Sequence, residues 1–186
     1  MARWVPRLAV VVVTLLVAAT VALVLASRPK LEGDRDRVAE RWTPLRGPLA
    51  ERYDELDGVL DELRAAGGGE RDVARELDRS LRRWNELRDA SNADADTDAE
   101  ARTANELEGL AGRVRATVAA SARLGDAQPI QEALDAFALA APPETAVSAY
   151  NDAARDYQET RESLRYGTVA RVLGYDARPA LALARP

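Results

Sequence analysis

Residues 38–63 read VAERWTPLRGPLAERYDELDGVLDEL, and the spacing of the large side chains in this stretch decides the fold. Val38, Trp42, Leu45, Leu49, Arg52, Leu56, Val59 and Leu63 follow one another at steps that alternate four and three. Side chains three and four apart share one face of a helix, so this is a coiled-coil-style seam with one chemical interruption, Arg52. Pro44 and Pro48 fall inside it, and an interior proline costs a helix about 3 kcal/mol. The seam keeps register across both prolines, so one kinked helix over roughly residues 34–65 is expected.

The same period continues downstream. Gly67-Gly68-Gly69 ends the first helix. Val73, Leu77, Ser80, Trp84 and Leu87 mark a second helix near 70–90. Residues 91–98, SNADADTD, read as a polar loop, and Thr97 with Glu100 forms a capping box that starts a third helix at about 98. Its seam is Leu107, Leu110, Val114, Thr117, Ser121 and Leu124. Asp126 to Gln128 is a turn, and Pro129 suits a first helical position. Ile130, Leu134, Phe137 and Ala141 follow on one face, and Pro142-Pro143 interrupts. Val147, Tyr150, Ala154, Tyr157, Arg161 and Leu164 then carry a last long helix to Gly167. No alternating strand pattern is present in the sequence. The expected product is all-α: an antiparallel bundle of three or four long helices over 34–166, then a short amphipathic segment and a loose tail over 167–186.

Upstream lies a stretch of different character. Residues 8–26, LAVVVVTLLVAATVALVLA, are uncharged and almost wholly apolar, with Arg3 and Arg7 before them and Arg28 and Lys30 after. As a helix this run covers about 28 Å, close to a hydrocarbon core of about 30 Å. Trp4 sits where an interfacial aromatic would sit. Val24-Leu25-Ala26 before Ser27 would suit signal-peptide cleavage, but such peptides have apolar cores of about 7–15 residues, and this run is longer. An uncleaved transmembrane anchor is therefore expected. It has a short N-terminus, 1–7, on one side, and a connector, 27–33, leading to the bundle on the other. Basic residues flank both ends, so charge alone leaves the orientation open.

Composition narrows the function. The chain has 26 basic and 31 acidic residues, and four of the basic ones flank the apolar run. Beyond residue 30 the chain keeps 22 basic against 31 acidic residues, a net charge of −9. That disfavours nucleic acid, which calls for a basic stripe, and disfavours lying flat on anionic lipid. The chain has no Cys and no His, which excludes thiol nucleophiles, imidazole bases, Cys/His zinc sites and a bacterial lipoprotein anchor. No cofactor is expected. Asp94, Asp96 and Asp98 mimic the opening of a calcium loop, but Ala99 stands where the loop needs Gly and Asn105 where it needs Glu, so a solvated loop with a helix cap is expected. Carboxylates are abundant but none is marked by spacing, and no enzyme activity is expected.

Two sets of residues stand out. Arg52 and Arg161 fall on seam positions; the favoured reading is a boundary site where the guanidinium snorkels to water, and the other is a buried charge with a carboxylate partner or a ligand. Tyr150-Asn151 and Tyr157-Gln158 repeat an aromatic–amide pair at seven residues on one helix, read as packing with the hydroxyls at the bundle edge. Arg52, Tyr150, Asn151, Tyr157 and Arg161 are thus the candidate interaction or bundle-polar residues.

The stretch 147–175, VSAYNDAARDYQETRESLRYGTVARVLGY, resembles the C-terminal signature of the LemA family, a repeated Tyr-Asn on a long helix followed by a short segment ending in Ala-x-x-x-Gly-aromatic. Tyr150-Asn151, Tyr157, Ala170, Gly174 and Tyr175 carry the likeness. Val38, Trp42, Leu49, Arg52, Tyr53 and Asp54 resemble the family's first helix, and the anchor is similarly placed. The chain departs from the family at Asp57-Gly58 and at Leu164-Arg165. The resemblance implies a cytoplasmic N-terminus, one anchor and a helical bundle outside a bacterial cytoplasmic membrane, with no catalytic residues. The expected function is a non-enzymatic, protein–protein role at the cell envelope with an unidentified partner, homo-oligomerisation being left open. The alternative is an extracytoplasmic ligand-sensing bundle, against which the seven residues ahead of the anchor count, being too few for a signalling module.

Overall fold

The computed structural model describes residues 26–69, 71–90 and 96–184. The expected anchor, except Ala26, lies outside the described residues, as do Asp94 and Ala95 of the acidic loop. Among the described residues there is no strand, and no helix is long and apolar enough to cross a membrane. The protein is an all-α helical bundle.

The seam of residues 38–63 is buried as a unit, Arg52 included. Residues 26–42 (α1) run into a 3₁₀ turn, Thr43–Leu45, and then into α2, Arg46–Ala65. Pro44 is the second residue of the 3₁₀ turn and Pro48 lies in the first turn of α2, where a missing N–H costs least. The helix therefore tightens instead of breaking, and register survives. Its start differs from expectation. Residues 27–33, read as a connector, are already helical, because Leu31 is fully buried and the pairs Arg28–Glu32 and Lys30–Asp34 brace the turn at 2.7 and 2.8 Å.

Gly67 and Gly68 close α2 in a Schellman motif. Their amides donate to Arg64 and Leu63 carbonyls, and Gly67 takes the left-handed φ of 74° that the motif requires. The chain then returns as α3, Asp72–Ala90, antiparallel to α2: Arg64 meets Asp78 at 2.7 Å, and the Tyr53 and Trp84 rings meet edge-on at 4.9 Å. α4, Thr97–Ala119, runs back along α3, with Ser80 donating to Glu106 at 2.6 Å. A short turn, α5 (Ala122–Gly125), leads to α6, Gln128–Leu139, which descends along α2. After Pro142-Pro143, α7 (Glu144–Glu162) continues along α1: the Tyr150 ring lies 5.0 Å from that of Trp42, and Thr160 donates to Asp34 at 2.9 Å. Two proline-broken rods, α1–α2 and α6–α7, thus run antiparallel, with the α3–α4 hairpin beside them. α8, Gly167–Val172, packs Val169 and Ala170 against Leu31.

Three local expectations are corrected. Asp96, not Thr97, caps α4: its carboxylate accepts from the Asp98 and Ala99 amides at 3.1 Å each, and its charge suits the helix N-terminus. α7 stops at Glu162 instead of Gly167, because Ser163 turns extended and its Oγ donates back to the Thr160 carbonyl. Leu164, expected on the seam, is therefore fully exposed. The chain beyond α8 is not loose through Ala184; side chains of α4 and α7 tie it into the bundle.

Asp34 makes the α1–α7 junction sensitive to acid. Its buried carboxylate accepts from Lys30, Thr160 and Arg37. Burial pushes its pKa up, but the hydrogen bonds from Lys30 and Thr160 outweigh this and hold it below the ordinary 3.8. Stability from this group is present above 3.8 and lost as pH falls through the lower folded value. Asp34→Asn is expected to cost about 1–3 kcal/mol at neutral pH and to flatten the acid limb of a stability-against-pH curve from chemical denaturation.

Candidate functional site

Arg52 reaches across the core from α2 to α4. Both Arg52 and Glu108 have side chains only 2% exposed, and they pair as a fork, Nε to Oε1 at 2.7 Å and Nη2 to Oε2 at 3.0 Å. Arg52 Nη1 donates to the Phe137 carbonyl at 2.8 Å, and the guanidinium carbon lies 3.8 Å from the Phe137 ring centre. The snorkelling reading of Arg52 is thus overturned: Glu108 supplies the carboxylate that lets the charge stay inside. The sequence carried a signal for this. Glu100, Ala104, Glu108 and Ala111 form a buried stripe on α4 beside the Leu107–Leu110–Val114 seam. Glu100 at its head accepts from Trp42 Nε1 and from Arg46 Nε.

The other four candidates act together on one target, the main chain of residues 175–184. From α7, Arg161 Nε donates to the Tyr175 carbonyl at 2.8 Å, the Tyr157 hydroxyl to that of Asp176 at 3.0 Å, and the Tyr150 hydroxyl to that of Pro179 at 2.8 Å. Asn151 takes both ends of Leu181, donating to its carbonyl at 3.0 Å and accepting from its amide at 2.8 Å. Arg161 is half-buried, so its snorkelling reading is closer, but its head is committed to the chain.

α4 closes the opposite side. Asn105 donates to the Ala180 carbonyl at 2.8 Å and accepts from the Ala182 amide at 2.9 Å. Glu108 Oε2 accepts from the Ala184 amide at 2.7 Å, which joins this clamp to the Arg52 pair. Arg178 Nε lies 2.8 Å from Asp98 Oδ1, an ion pair whose angles fall short of a hydrogen bond. Asn105, Asp98 and Glu108 are functional residues that sequence reasoning missed.

The geometry dictates that the held segment is extended. Along α7 the partners step from Arg161 back to Tyr150, about 16 Å of helix, while the segment advances from Tyr175 to Pro179. A helix would rise only about 6 Å over those four residues; an extended chain covers nearly the whole distance. The segment thus runs antiparallel to α7 and parallel to α4. Tyr175, Arg178 and Leu181, every third residue, face inward, and Leu181 joins the main core.

The turn into this groove is made by Gly174. With φ of 71° it ends α8 in a second Schellman motif, the Tyr175 amide donating to the Ala170 carbonyl at 2.9 Å. The Ala170-x-x-x-Gly174-Tyr175 pattern is therefore a helix stop, and Tyr150-Asn151 and Tyr157 grip the extended chain beyond it.

The electrostatics suit donors that stay donors. Burial pushes the Tyr150 and Tyr157 hydroxyls above their ordinary value, Arg178 opposing, so both remain protonated. Burial likewise raises the Asp98 carboxyl against the pull of Arg178. Asp96 and Asp98, read as a calcium-loop mimic, are used as a cap and an ion pair, and no group of three potential metal ligands occurs among the described residues. Chemically, the site holds an extended polypeptide by its backbone, a mode that is tolerant of sequence. Comparison of the chain with family models, with curated proteins and with solved structures finds no match.

Proposed function

We propose that this is a membrane-anchored helical-bundle protein of LemA-like type. Its bundle stands outside a bacterial cytoplasmic membrane and acts non-enzymatically, through contact with an envelope protein. The observation that carries the reading is the α4/α7 clamp: opposed Asn105 and Asn151 side chains hold carbonyls and amides of the chain's own residues 180–182, a backbone-directed grip that suits an extended segment of a partner equally. The residues behind the LemA resemblance also act as one device, Gly174 turning the chain and Tyr150, Asn151 and Tyr157 holding it. The second reading, a ligand-sensing bundle, has one feature in its favour, a cleft of about 370 Å³ bordered by Arg161, Glu162, Gly167, Ala170 and Arg171.

Proximity labelling from the bundle in its native membrane tests side and partner together. The expected result is labelling of envelope proteins, with at least one protein lost when Asn151→Ala loosens the clamp. Labelling of cytoplasmic proteins would overturn the topology. An identical set from Asn151→Ala would remove the clamp from the function and leave the sensing cleft as the better reading.

A further inference from the structure

We infer that the α7–α8 corner is a second membrane contact, bedding into the lipid headgroup layer beside the anchor; this rests on the anchored reading of the chain. Four large apolar side chains are exposed among the described residues, and three of them lie at this corner: Leu164 at 104%, Val172 at 73% and Leu173 at 40%. The fourth, Leu139 at 87%, ends α6 at the level of Arg52 and Phe137.

The height of the corner is set by the rods. The apolar run ends at Ala26, and α8 packs on Leu31, five residues on and about 8 Å further along α1. α7 runs antiparallel to α1 with Thr160 level with Asp34, so Leu164 falls near the level of Lys30, about 6 Å from Ala26. Leu173 borders a cleft whose other walls include Arg28 and Glu32. A headgroup layer is about 5–8 Å thick on each side of the hydrocarbon. The three apolar side chains therefore lie where a membrane spanned by residues 8–26 would present its interface. Leu139 lies roughly 40 Å along the rod from it.

The chemistry of the corner suits that layer. Arg165 and Arg171 are exposed beside the apolar residues, and the Arg165 guanidinium lies 5.4 Å from the Tyr166 ring centre. Apolar side chains flanked by arginine and an aromatic ring are the composition of an interfacial segment, whose arginine heads meet lipid phosphates. The net charge of −9 beyond residue 30 keeps the remaining surface off anionic lipid, so contact is confined to this end. Anchor and corner together hold the bundle in one orientation above the membrane.

The chain has no cysteine, so labels can be placed singly. Leu164→Cys, Val172→Cys, Leu173→Cys and Leu139→Cys in the full chain, each carrying a polarity-sensitive fluorophore, are reconstituted into vesicles of phosphatidylcholine and phosphatidylglycerol. Nitroxide placed near the lipid headgroups is expected to quench the three corner labels several-fold more than the label at 139. Corner labels quenched no more than the 139 label, in a chain that floats with the vesicles, would overturn the contact and leave the anchor standing. A blue-shifted corner label that lipid nitroxide does not quench would assign the patch to a second copy of the chain and equally overturn it. A chain that fails to float would remove the anchored reading, and the contact with it.

Discussion

Glu108→Ala is expected to destabilise the bundle by about 3–5 kcal/mol, read as a lower urea midpoint. The substitution leaves the Arg52 guanidinium inside a core where it is 2% exposed, with only the Phe137 carbonyl and ring for company. A buried charge without its partner carries its full desolvation cost. Glu108 also accepts from the Ala184 amide, so the loss extends to the held segment. The double variant Arg52→Met with Glu108→Leu removes both charges and keeps the volume. It is expected to recover part of the loss, the remainder being the cost of the Phe137 carbonyl and the Ala184 amide left without partners, about 1–3 kcal/mol each where they stay buried. Recovery no greater than that of either single variant would mean that the pair is not a coupled unit.

Asn105→Ala combined with Asn151→Ala has the second large effect. Each side chain holds one carbonyl and one amide of residues 180–182, and each loss costs about 1–3 kcal/mol. The two act on opposite sides of the same three residues, so the pair is expected to cost more than the sum of the single changes. Once both are gone, Leu181 leaves the main core and the Arg178–Asp98 pair opens to water. The denaturant slope should fall as well, because the native state then buries less surface.

The fold was legible where apolar spacing is regular. The 38–63 seam keeps its four–three steps across two prolines, and every position in it is buried, because register on a helix depends on spacing and tolerates a 3₁₀ turn. The α7 seam was legible only as far as Tyr157 and Arg161. Leu164 has the right spacing, but the helix ends before it, and spacing does not specify where an end falls.

The site was half legible. Tyr150, Asn151 and Tyr157 stand out as a heptad repeat, but their target is main chain, which leaves no mark in a sequence. Residues 175–184 show neither helical nor alternating periodicity, and their inward residues recur every third position, so they read as a tail. Arg52 was visible as a break in a seam. Its partner Glu108 follows Leu107 directly, and a carboxylate next to a seam residue reads as solvent-facing unless the width of the buried face is known. α4 is buried on a broad face because it packs against α2, α3 and the extended segment together.

Hydrogen exchange over residues 175–184 of the full chain tests most directly the claim that the candidate residues serve to hold this segment. Leu181, Ala182 and Ala184 amides donate to Asn151, Asn105 and Glu108. They are expected to be protected in the parent chain, and to lose that protection in Asn105→Ala with Asn151→Ala while α2 and α3 retain theirs. Exchange of these three amides at the rate of an unstructured peptide in the parent chain would contradict the account.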